Sequence, residues 1–115
     1  MDDSDAIVVC IAGVSSSGGA GWGALVVEPD GFVEEHSGAV LGSALRAATI
    51  AAVEALGAIS PGQTVAVRAN NRSLMHLAQT EIPSWIKARW SGSSDTPDIG
   101  LIKHLAEILQ GLDVH

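Results

Sequence analysis

The chain has 115 residues, enough for one domain with one core. Thirteen acidic residues against six basic ones leave a net charge of −7, a field that repels polyanions and disfavours nucleic acid unless a local basic patch attracts it. Hydrophobic residues make up 47% and aromatic residues only 3%, which excludes a disordered chain and predicts a core built from small side chains.

Residues 1–5 read as a solvated tail and residues 6–115 as a single domain. Residues 6–14 are almost continuously apolar and β-branched, as in a strand buried on both faces. SSSGGAG (15–21) reads as a loop, and Trp22 to Glu28 as a second strand. Pro29, Asp30 and Gly31 form a turn, because Pro presets φ and Gly permits positive φ. Phe32 to His36 then returns as a third strand, antiparallel to the second, with Glu34, Glu35 and His36 marking an edge or a wet face. Ser43 caps a helix that runs to about Leu56 and stops at Gly57. Its Leu45, Thr49, Ala52, Val53 and Leu56 share one face. After the SPGQ turn, Thr64 to Ala69 is a fourth strand, parallel to the first through the helical crossover.

Arg72 to Gln79 is helical, and Pro83 opens a separate short helix through Trp90. SGSSD (91–95) reads as a break. Thr96, Pro97 and Asp98 read as an N-cap, a first-turn Pro and an acid facing the helix dipole. Ile102, Leu105, Leu109 and Leu112 form the buried stripe of the last helix. The single cysteine, Cys10, has no internal disulfide partner, and no apolar run approaches the roughly 20 residues of a membrane span. A cytoplasmic protein with no membrane association is therefore expected.

The order hairpin, helix, strand, helix resembles the ribonuclease H family from Ile7 to Leu112. GWGA opens the second strand, AxxAAVEAL lies in the first helix, VAVRANNRSL spans the strand-to-helix junction, and PSWIKARW follows. The resemblance implies an α/β fold with strands 1–3 antiparallel, strand 4 parallel to strand 1, helices packed on the sheet, and strand order 3-2-1-4-5. In this chain the fifth strand is expected to be missing or rudimentary.

An active member resembles a two-metal hydrolase, whose carboxylates hold divalent ions that activate water and stabilise the leaving oxygen. Carried over residue by residue, the first acid corresponds to Cys10 or Ala12, the second to Leu45 and the third to Asn70. The fourth follows a fifth strand, for which the remaining residues are too few. With these positions neutral or absent, the resemblance implies a degenerate, catalytically inactive module without metal or cofactor, acting through protein binding or self-association. The alternative is an RNA–DNA hybrid ribonuclease or nucleic-acid-binding protein of the family, which would need Mg²⁺ or Mn²⁺ to cut.

Asn70 and Arg72 could anchor a phosphate, or an Asn could simply cap the following helix. Trp85, Lys87 and Arg89, with Trp90, form the basic-aromatic cluster with which family members grip a DNA strand. The plainer reading is that both tryptophans anchor a short helix while the basic residues are solvated. Ser15 to Gly19 could cradle an anion, but no helix starts there. Cys10 reads as a small buried hydrophobe. His36, His76, His104 and His115 lack metal-site spacing. Without a full fifth strand, Thr64 to Ala69 becomes a sheet edge, and Ile99, Leu101 and Ile108 add apolar surface to the last helix. Both features suggest a homodimer or another protein partner.

Overall fold

The computed structural model describes residues 6–16, 19–91 and 98–114. The expected tail over 1–5, residues 92–95 of the break, Thr96, Pro97 and His115 lie outside the described residues.

Ten elements follow in order: β1 (Ile7–Ser16), β2 (Gly19–Val27), β3 (Val33–Val40), α1 (Ala44–Gly57), β4 (Thr64–Ala69), α2 (Arg72–His76), a π turn (Leu77–Glu81), α3 (Ile82–Lys87), α4 (Ile99–Gln110) and β5 (Asp113–Val114). They form one five-stranded sheet in the order β3-β2-β1-β4-β5. β1–β2 and β2–β3 are antiparallel, and β4 is parallel to both β1 and β5. The α/β architecture and strand order expected from the sequence are the ones observed. The fifth strand is real but two residues long, pairing Thr64 with Asp113 and Val65 with Val114. The fifth strand is thus rudimentary, as expected, and it covers one end of the β4 edge.

The first hairpin is longer than expected. Ser15, Ser16, Gly19, Ala20 and Gly21 are paired within the ladder instead of forming a loop, and β3 continues four residues past His36 to Val40. Small residues make this possible. A Cβ on Gly38 would lie 2.8 Å from the Trp22 ring, so glycine opposite the indole lets the two strands stay in register.

The sheet is covered on one face. Val9, Ile11 and Val65 point toward α1 and are nearly or fully buried, meeting Ala48, Ala51, Ala52 and Ala55. The alternate positions of β1 are half-buried at Cys10 and exposed at Ala12 and Val14. The strand is thus not buried on both faces: an apolar run records residue type, but only the placement of the helices decides which side they cover. The alanines of α1 bring it close to the sheet, as the composition predicted.

Ser43 caps α1, its Oγ accepting from Arg46 N at 3.1 Å. The helix ends at Gly57 with Ala58 as a right-handed C-cap, so no left-handed glycine closes it. The α2–α3 region is one winding run. The π turn bridges the stretch where a break before Pro83 was expected, and Pro83 is tolerated because it falls at the start of α3. Asp98 is itself the N-cap of α4, at φ 58°, and not a first-turn acid; its side chain makes no capping bond. Ile99 and Ile108 pack against the core, which absorbs apolar surface that the sequence left unassigned.

Candidate functional site

Asn70 follows the C-terminal end of β4 and reaches across to β1. Asn70 N donates to Ile11 O at 3.2 Å, extending the parallel ladder by one bond. Gly13 N donates to Asn70 Oδ1, also at 3.2 Å. Asn70 therefore brackets Ala12, while Cys10 lies two residues back, paired with Arg68. Of the two sequence candidates for the first position, Ala12 is the one beside Asn70.

Gly13 is the residue whose importance the sequence reading missed. A Cβ there would sit 2.7 Å from Ala44 O and 2.9 Å from Ala48 N. The first turn of α1 therefore rests directly on β1, and any side chain at Gly13 would push it away. A glycine in a strand marks such close approaches, but nothing in the sequence says what approaches.

Leu45 lies in that first turn. It is half-buried, packs against the core, and lines a cleft of about 280 Å³ with Thr49, Leu77 and Trp85. Thr49 Oγ1 donates to Leu45 O at 2.7 Å, so the hydroxyl buried in this apolar helix face is satisfied. At the cleft mouth Arg46 Nε and Asp98 Oδ1 form an ion pair at 3.5 Å, both partly exposed. The methyl of Ala12, the isobutyl of Leu45 and the amide of Asn70 are all uncharged. Among the described residues no three His, Cys, Asp or Glu side chains come together as a metal-binding group.

Asn71, not Asn70, caps α2, its Oδ1 accepting from Leu74 N at 2.9 Å. Both asparagines thus have backbone partners, which favours the capping reading of this junction. Arg72 is exposed on α2.

Trp85 and Trp90 are half-buried, pack against the core, and stack obliquely with ring centroids 5.9 Å apart. Lys87 and Arg89 are exposed. Arg89 and Trp90 have φ of 54° and 63°, the left-handed conformation that turns the chain after α3. Lys103 of α4 places Nζ 5.5 Å from the Trp90 ring centroid. This third basic residue went unnoticed in the sequence because it is thirteen positions from Trp90, on a separate helix. His36 is half-buried in β3, with Nε2 3.5 Å from Glu34 Oε2 but outside hydrogen-bond geometry. His76 and His104 are exposed, on α2 and α4. Ser15, Ser16 and Gly19 pair in the β1–β2 ladder, and Ser17 and Gly18 lie outside the described residues.

No protein-family model and no curated protein matches the sequence. Solved structures do match. The ribonuclease H1 of the halophilic archaeon Halobacterium salinarum NRC-1 is 19% identical, with a TM-score of 0.58 over 94% of this chain and 80% of that one. A foamy viral protease-reverse transcriptase in complex with dsDNA is 16% identical, with a TM-score of 0.74 over 100% of this chain and 83% of that one. LC9-RNase H1, a type 1 RNase H with the type 2 active-site motif, is 16% identical, with a TM-score of 0.70 over 96% of this chain and 61% of that one. At these identities the likeness concerns architecture alone, and it agrees with the strand order and crossover described above: the chain has a ribonuclease H-like fold.

Proposed function

We propose that this chain is a non-catalytic ribonuclease H-like module, a pseudoenzyme that works through protein binding or self-association. The observation that carries this reading is that Ala12, beside Asn70, and Leu45, in the first turn of α1, are as uncharged as Asn70 itself. Mg²⁺ and Mn²⁺ are hard cations that need several anionic oxygens. Asn70 Oδ1 is neutral and already accepts from Gly13 N. The acidic balance of the chain supports the same reading, since electrostatics oppose a polyanionic substrate. The lone Cys10 fits a reducing, cytoplasmic setting. Among the described residues no helix is long and apolar enough to cross a membrane.

A second reading, an RNA–DNA hybrid ribonuclease or nucleic-acid-binding protein, is favoured by one feature. Trp85 and Trp90 sit beside Lys87, Arg89 and Lys103, a surface on which a strand could stack and be held by its phosphates. The two readings separate in one experiment. Labelled RNA–DNA hybrid is incubated with the protein in Mg²⁺ and in Mn²⁺, with binding measured across a salt series. The first reading expects intact hybrid and little retention. Metal-dependent cutting overturns it, and tight binding that falls steeply with salt supports the second.

A further inference from the structure

The described helices pack on the α1 side of the sheet, and among the described residues none lies over the opposite face. That face is apolar and open: Val14 is 61% exposed, Val33 50% and Leu25 39%. Its charges have a definite arrangement. Cross-strand pairing sets Glu35, Leu25, Cys10 and Arg68 side by side in one row across β3, β2, β1 and β4. A negative charge ends the row on one side and a positive charge on the other, three strand spacings or about 14 Å apart. Neither forms an ion pair among the described residues, and Arg68 makes only a 3.5 Å contact with Val67 O. The next rows toward the first hairpin carry Ser37, Gly23 and Ala12, then Ala39, Gly21 and Val14, so little stands up from the sheet to hold another surface away.

This pattern is complementary to itself. A two-fold axis parallel to the strands, running between β1 and β2, lays one sheet face on another and reverses the row. Arg68 then meets the second copy's Glu35, and Glu35 meets the second copy's Arg68. Leu25 covers Cys10 at the centre. The geometry points to a face-to-face homodimer through this side of the sheet, closed by two symmetry-related Arg68–Glu35 pairs. The inference rests on the self-association form of the function proposed above and names the surface that carries it. It differs from pairing along the β4 edge, which β5 partly occupies. A patch four strands wide lies at the small end of specific interfaces, so the dimer is concentration-dependent.

The test is sedimentation equilibrium over a wide concentration range on four proteins: the unaltered chain, Arg68→Glu, Glu35→Arg, and the double exchange, which preserves the net charge of −7. Dimerisation of the unaltered chain is expected, with the dissociation constant raised at least tenfold by either single change and restored by the double exchange. A monomer at every concentration overturns the inference. So does a dimer indifferent to both single changes, or a double exchange that fails to restore association. Circular dichroism checks folding; if a single variant does not fold, dimerisation of the unaltered chain must still weaken from low to high salt, and salt-independent association sinks the ion pairs. Failure here leaves the hybrid-cleavage result untouched, so loss of this interface and loss of the non-catalytic reading are separately visible.

Discussion

Asn70 accepts a hydrogen bond from the backbone of Gly13 at 3.2 Å, and this contact ties the end of β4 to β1, 57 positions earlier. The amide oxygen thus has a structural task. Removing it with Asn70→Ala leaves a partly buried N–H without its partner and should cost about 1 kcal/mol. Asn70→Asp keeps an acceptor of the same shape and should lose little. Urea denaturation of the two variants checks this. Equal losses would mean that the bond contributes nothing.

Gly13→Ala should be far more damaging. Its methyl would meet backbone atoms of Ala44 and Ala48 below 3.0 Å, and backbone cannot rotate aside as a side chain can. We expect a loss of about 1–3 kcal/mol or more, with α1 displaced from β1. Thermal unfolding reads the stability, and near-ultraviolet circular dichroism of Trp22 and Trp85 reads the displacement.

The α1 cap has a predictable weight. Ser43 Oγ satisfies Arg46 N, and no acidic residue in the first turn shares that role. Ser43→Ala should destabilise by about 1 kcal/mol, and Ser43→Asp should match the native chain or exceed it by complementing the helix dipole. Denaturation midpoints for the three proteins give the ranking.

Leu105 is among the largest fully buried side chains, inside a core otherwise rich in alanine. Small neighbours have little reach to refill the space it leaves. Leu105→Ala should therefore fall within the usual range of about 2–5 kcal/mol for core truncations. Leu109, half-buried on the same helix, should cost less when changed in the same way, as measured by chemical denaturation.

Much of this architecture was legible in local chemistry. The Ser43 cap, the Pro29–Asp30–Gly31 turn, the limits of β4 and the crossover to a parallel strand all follow from side chains acting on their own backbone. The neutrality of Ala12, Leu45 and Asn70 was equally plain, because charge belongs to residue type. Errors arose where a distant element sets the outcome. Ser15, Ser16, Gly19, Ala20 and Gly21 carry loop chemistry but are held in the ladder of β1, β2 and β3. The run over 6–14 looks buried on both faces, yet the described helices cover only one, leaving Ala12 and Val14 exposed. Gly13 carries no mark of the helix resting on it, and Lys103 none of the ring it faces. Composition and short-range preference are properties of neighbours along the chain and can be read there. Which face is covered, which amide oxygen meets which N–H, and the opposition of Arg68 and Glu35 in one row depend on register between segments far apart in sequence, and register exists only once the sheet has formed.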